Sequence, residues 1–415
     1  MANEVNFNLL LLLKDLKQMK FVFERKFFAE RSKNLERSEK FSHKREQRNL
    51  FQLPSVAKIN NIIVNFCDKR EQCRKRQLKL LILNSQFLIL NFNSIMDIKN
   101  YVKTYFEQID WNQEPKNLYE PIDYALQSGG KRIRPTLVLM AAQMFGGNIE
   151  QCIKPAAAME IFHNFTLLHD DVMDNADVRR GRPTIKAKWD DNTAILSGDA
   201  MLIKAYQYLE EVPAGKLLLV LKLFSQTALE VCEGQQYDTD FENREDVTIE
   251  EYYEMIRLKT AVLLAGCLKL GAILGGASES DANNLYDFGI AIGIAFQLRD
   301  DYLDCYGDEK TFGKKIGGDI LCGKRTFLLI QTLKTCCESQ RQTISQLLSN
   351  NTIAAELKIS TIIDIYTQMD MPRVCNEAME EYYAKAMDAL AKINKTDDEK
   401  APFVDFAKQL MGRID

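Results

Sequence analysis

Three aspartates, Asp170, Asp171 and Asp174, stand together in LLHDDVMDNADVRRGRP, and three more, Asp300, Asp301 and Asp304, repeat their spacing in FQLRDDYLD. On a helix, positions i, i+1 and i+4 fall within roughly a 100° arc, so each DDxxD would put its carboxylates on one face. A lone DDxxD is compatible with a solvated, charged stripe. Two copies on two largely apolar stretches are harder to dismiss, because like charges that close repel and need compensation. Facing each other across a bundle, the two helices would line a cavity with six carboxylates, hard oxygen donors that suit Mg²⁺. Mg²⁺ gives up its waters reluctantly and commonly bridges a few carboxylates to substrate phosphates. A diphosphate ligand is therefore expected.

Basic elements complement the acids. GGKRIRP, Gly129 to Pro135, reads as a compact cationic start to a helix. It is not a P-loop, since Ala125 stands six before Lys131 and Arg132 replaces the Ser or Thr that would hold the metal. Its glycines would let the backbone approach an anion while Lys131 and Arg134 hold it. RRGRP, containing Arg179, Arg180 and Arg182, follows the first acidic motif with the same character. Lys259 in RLKT, Lys314 and Lys315 in FGKKIGGD, and Lys324 are weaker signals, because single lysines are usually solvated.

The sequence has three histidines, and His163 lies two helical turns before Asp170, hence on the same face. Glu160 and His163 form an ExxH, but a di-iron site needs a second one and no histidine is left to make it. His169–Asp170 suggests a metal phosphohydrolase only until the same shortage is noticed.

The apolar spacing that must position these groups is mostly three and four from Met96 onward. Pro155–Asp174, Lys216–Gln235, Ile249–Leu274, Asp281–Asp304 and Met371–Ile393 read as helices, punctuated by Gly146–Gly147, Gly181–Pro183, Gly275–Gly276 and Gly317–Gly318. An all-α domain of long helices over 96–415 is expected. Residues 1–95 differ in kind: they contain 19 Lys and Arg against 9 Asp and Glu, no glycine and the single proline Pro54. They read as an N-terminal extension outside the fold, with Met96 as the natural start; nine acids disfavour a transit peptide. The remaining 35 bases and 49 acids make the body acidic, which argues against nucleic acid as a partner. Ten scattered cysteines without a CxxC suit a reduced, cytoplasmic protein. The apolar runs near Leu9–Leu13 and Leu78–Phe92 are too short or interrupted, so no transmembrane span is expected.

GGKRxRP, DDxxD followed by RRG, and FQxxDDxxD followed by GK together resemble the trans-isoprenyl diphosphate synthases, the polyprenyl synthetase family, over essentially Met96 to Asp415. The resemblance implies the all-α isoprenoid synthase fold, a homodimer, and a Mg²⁺-dependent prenyltransferase that joins isopentenyl diphosphate to an allylic diphosphate, with three ions when substrate is bound. It further implies Asp170, Asp174 and Asp300 as metal ligands, with Asp171, Asp301 and Asp304 in support. Arg179, Lys259, Lys314 and Lys324 would grip the allylic diphosphate, with either Lys314 or Lys315 reaching it. Lys131, Arg134, His163 and Arg180 would grip isopentenyl diphosphate, and Thr260 and Gln297 would face the reacting carbon.

Bulky residues before the first acidic motif limit chain length in that family. Phe165 and Thr166, with no insertion inside DDVMD, resemble geranylgeranyl more than farnesyl diphosphate synthases, a farnesyl or longer product being the alternative. A terpene cyclase would carry a different second motif and lack GGKRxRP, and a non-catalytic partner subunit would be expected to have lost some of the six aspartates.

Overall fold

A computed structural model describes residues 98–307, 316–350 and 352–412. The expected extension, 1–95, lies outside the described residues, as do Lys314 and Lys315. As expected, the fold is all-α. Helix α1 spans 98–108, followed by α2 (Lys116–Gln127), α3 (Ile133–Met144) and α4 (Ile149–Met173). Then come α5 (Asp191–Leu209), α6 (Ala214–Phe241), α7 (Ile249–Ile256), α8 (Val262–Gly275) and α9 (Glu279–Tyr306). The C-terminal part adds α10 (Phe327–Thr335), α11 (Glu338–Ser349), α12 (Ala355–Gln368), α13 (Met371–Ala391) and α14 (Asp397–Met411). Among the described residues, extended structure is confined to a two-stranded hairpin, Val178–Arg179 with Arg182–Pro183.

Local chemistry explains the helix starts. Asn148 caps α4 by accepting from the Glu150 amide at 2.8 Å, and Ser278 caps α9 by accepting from the Asp281 amide at 3.0 Å. Thr248–Glu251 and Thr396–Glu399 form reciprocal capping boxes on α7 and α14. The expected start of α4 at Pro155 was too late. Proline favours a first turn, but Asn148 supplies the stronger signal and Pro155 sits inside the helix.

Two apolar clusters hold the bundle. Helices α3, α4, α5 and α8 pack around Leu137, Phe162, Met201 and Leu268, while α7, α10, α12 and α13 pack around Tyr252, Phe327, Ile362 and Met379. Helix α9 belongs to both, giving Leu285 and Phe288 to the first and Ile294 and Leu298 to the second. The stretch Ile249–Gly275 is long and apolar enough to cross a membrane, which the sequence reading did not notice, but 78% of its most apolar window is buried in the bundle. An apolar face is left uncovered on α5 and α6, where Leu196, Ile203, Leu218 and Leu229 are each more than half exposed.

Between α7 and α8 the helix widens into a π turn, Arg257–Ala261. Its backbone is crowded by α6: a methyl group added at Gly234 would sit 2.2 Å from the Lys259 nitrogen. Only a residue without a side chain permits that approach. We expect Gly234→Ala to push α6 off the π turn and to lower stability by about 1–3 kcal/mol in chemical denaturation. A wild-type midpoint would show that the helices separate freely.

Candidate active site

Both acidic motifs lie at the C-terminal ends of their helices. Asp174 caps α4, and Asp300 to Asp304 occupy the last two turns of α9. Carbonyl dipoles make such ends unfavourable for anions, so placing carboxylates there demands positive charge nearby. At the end of α4, Lys259 and Lys324 provide it. Their charges act on Asp170, and Lys324 also acts with Asp174, Asp238 and Asp319. The segment Gly318–Cys322 runs between the motifs, for Cys322 lies within reach of Asp174 from one and Asp304 from the other. Lys324 thus stands beside Asp174 of the first motif and beside Asp319, whose amide binds Asp304 of the second.

The expectation that all six carboxylates line the cavity needs correction. Asp171 is buried and accepts from Arg179 Nε at 2.7 Å. Asp301 is buried and accepts from Tyr252 Oη at 2.7 Å, Gln297 Nε2 at 3.1 Å and the Phe327 amide at 3.1 Å. Asp304 is buried and accepts from the Asp319 amide at 3.1 Å. For Asp171 and Asp301 the physical reason is angular, since a neighbour one residue along a helix is rotated by 100° and turns toward the bundle. Asp304 stays on the arc of Asp300 but is covered by the Gly317–Asp319 backbone. Asp170, Asp174 and Asp300 stay partly or fully exposed.

Burial raises the Asp170 carboxyl above its ordinary range, with Asp174 pushing the same way and Lys259 opposing. Burial likewise pushes Asp301 up to about 7, with Asp319 adding to it. Among the described residues no three His, Cys, Asp or Glu side chains form a metal cage by themselves. Exposed hard-oxygen donors without a full cage still fit Mg²⁺, which keeps several waters and shares its shell with substrate phosphates.

A second electrostatic centre lies on the other side of Asp171. His163 is held well below its ordinary pKa, first by burial and then by the charges of Arg134, Arg180, Arg179 and Arg132. The hairpin builds this cluster. Val178 pairs with Pro183 and Arg179 with Arg182, leaving Arg180–Gly181 as a two-residue turn with φ of 54° and 72°. Positive φ at both positions is the type I′ arrangement. The Arg180 guanidinium donates to the Gly129 carbonyl at 2.5 Å, while Arg179 binds Asp171. Gly130 therefore makes room for Arg180 rather than for a bare anion: a methyl group there would lie 2.8 Å from Arg180 Nη1. The GGKR and RRG loops, 51 residues apart, are thus joined.

The structure places the remaining expected residues as follows. Lys131 is exposed and Arg134 partly so, with its Nε buried and without a hydrogen-bond partner. Lys259 and Thr260 project from the π turn; Thr260 Oγ1 donates to Gln297 Oε1 at 3.1 Å, and Gln297 passes the chain on to Asp301. Phe165 is buried against Phe162 and His169, facing Gly198 of α5, and Thr166 bonds back to the His163 carbonyl at 2.8 Å. Sequence reasoning missed Asp238, whose Oδ2 lies 2.5 Å from Lys259 Nζ. The GQQYDTD stretch carried no spacing signal for it. Tyr252, inside the expected helix Ile249–Leu274, and Asp319, the last residue of FGKKIGGD, were missed for the same reason: each is a single polar residue with no spacing to mark its partner.

The chain is similar to known proteins. The polyprenyl synthetase profile matches residues 115–366. The geranylgeranyl diphosphate synthase of Sulfolobus acidocaldarius is 36% identical over 312 residues, covering 74% of this chain and 92% of that one. The short chain isoprenyl diphosphate synthase of Methanocaldococcus jannaschii is 37% identical over 289 residues, covering 69% and 86%. A crystal structure of a geranylgeranyl pyrophosphate synthase superposes with a TM-score of 0.73 at 42% identity, covering 77% of this chain and 98% of that one. With two DDxxD helices, lysines beside the first and an arginine cluster around His163, the chain belongs to the polyprenyl synthetase family and is an enzyme of its trans-prenyltransferase type.

Proposed function

We propose that the protein condenses isopentenyl diphosphate with an allylic diphosphate to form a short-chain all-trans prenyl diphosphate, geranylgeranyl diphosphate. The observation that carries this reading is the presence of two cationic centres, Lys259 with Lys324 among the acids and the arginines around His163, with Arg179 acting on both. A two-substrate reaction with two diphosphates needs two such grips. The relatives named as geranylgeranyl diphosphate synthases support the product length.

In this reading the allylic C–O bond breaks to leave a delocalised cation and a diphosphate. Asp170, Asp174 and Asp300 would hold Mg²⁺, which supplies positive charge against the leaving group. Arg179, Lys259 and Lys324 stabilise the same diphosphate through fixed cationic side chains, the contribution of Lys314 lying outside the described residues. Lys131, Arg134, His163 and Arg180 orient isopentenyl diphosphate so that its double bond attacks the cation. A proton then leaves the new bond's neighbouring carbon for the departed diphosphate, and no side-chain nucleophile is required. Thr260 and Gln297 place their oxygen dipoles near the cation, with Asp171, Asp301 and Asp304 keeping their helix ends in shape. Cytoplasmic residence fits the cysteines, which are free throughout the described residues. A homodimer would cover the apolar face of α5 and α6.

Incubation with Mg²⁺, farnesyl diphosphate and labelled isopentenyl diphosphate is expected to give labelled geranylgeranyl diphosphate, and chelation to stop it. Lack of incorporation defeats the reading. Asp170→Ala and Asp300→Ala are each expected to reduce turnover by about 10²–10³-fold without unfolding; survival of turnover in both would remove the metal assignment. Phe165→Ala is expected to lengthen the product on chromatography, and an unchanged product excludes Phe165 as the floor. Leu229→Asp is expected to halve the mass seen by sedimentation; an unaltered mass would place the interface elsewhere.

A further inference from the structure

Helix α4 carries, one turn before His163, a carboxylate that the proposed reaction does not use. Glu160 is 2% exposed. Its Oε1 accepts from Arg132 Nη1 at 2.8 Å and, more weakly, from Asn164 Nδ2 at 3.5 Å, while Oε2 has no hydrogen-bond partner. A buried carboxylate left half satisfied is unfavourable unless positive charge nearby offsets it. That charge is close at hand, since Arg134 and Arg180 both interact with Glu160 in addition to the Arg132 contact.

Arg132 is itself fixed on every side. Its other guanidinium nitrogen donates to the Leu126 carbonyl, its plane lies 4.6 Å from the centre of the Phe106 ring, and its backbone holds the left-handed region at φ 48°. A non-glycine residue stays in that region only where its surroundings over-determine it. The side chain between Lys131 and Arg134 in this compact loop therefore points inward and is anchored in the bundle, leaving Lys131 exposed to solvent.

We propose that Glu160 and Arg132 form a buried pin that positions the isopentenyl diphosphate grip, fixing the loop that presents Lys131 and Arg134 and neutralising the arginine cluster while no substrate anion is there to do so. Both are positioning residues, since neither needs to touch the substrate. The inference rests on the reading of this cluster as the isopentenyl diphosphate site. Without the carboxylate, three guanidinium groups would repel one another in a low-dielectric setting and the grip would spread.

The test is a comparison of steady-state constants for the two substrates. Glu160→Gln is expected to lower kcat/KM for isopentenyl diphosphate on the order of 10²-fold, mainly through KM, while the KM for the allylic diphosphate stays within about twofold. Removing one partner of a buried pair threatens folding, so a second variant joins Arg132→Met with Glu160→Met. Apolar replacement of both partners is tolerated by buried pairs. The double variant is expected to melt near the wild-type temperature and still to show the raised isopentenyl diphosphate KM. A folded double variant with a normal KM overturns the pin, as does an equal rise for both substrates. His163→Ala and Arg134→Ala separate the two levels. If both leave the isopentenyl diphosphate KM untouched, the site reading falls and takes the pin with it; if they raise it and the pin variants do not, the pin alone falls.

Discussion

Charge of one sign cannot be concentrated in a water-poor cleft without an answering charge, and this bundle satisfies that constraint twice, with opposite signs. Carboxylates at the C-terminal ends of α4 and α9 face helix dipoles of their own sign; those of α4 are answered by Lys259 and Lys324, and Asp301 and Asp304 of α9 by the donors Tyr252, Gln297 and the Phe327 and Asp319 amides. Four arginines around His163 are answered by Glu160 and Asp171.

The helices turn that electrostatic requirement into geometry. Helix α9 joins the two apolar clusters, so the second acidic motif is set by both halves of the core. The π turn widens one helix where Lys259 and Thr260 must project, and α6 secures it twice, with Gly234 against its backbone and Asp238, one turn later, against the lysine. Local widening of this kind places two side chains that a regular helix would rotate elsewhere.

Much of this was legible because it is periodic or repeated. The three-and-four spacing announced helices, and the duplicated DDxxD singled out Asp170 and Asp300 without any knowledge of their neighbours. What escaped were relations between distant positions. Nothing in GQQYDTD marks Asp238 as the partner of Lys259, and nothing in YYEMI marks Tyr252 as a donor to Asp301. The wheel that grouped six aspartates on two arcs was right about the arcs but silent on depth, which depends on what packs against each side. The hairpin was equally hidden, since two-residue strands are too short to alternate.

That hairpin has a consequence for spacing. Arg179 belongs to a strand and reaches Asp171, whereas Arg180 belongs to the turn and reaches Gly129. The backbone leaves the extended conformation between them, Arg180 taking φ 54°, so the two side chains part at the end of the strand. One peptide bond is therefore both the ruler and the partition between the two anion centres. An insertion or deletion of a single residue here would do more than alter a loop: it would move an arginine out of the strand or out of the turn, and one of the two contacts, to Asp171 or to Gly129, would lose its partner.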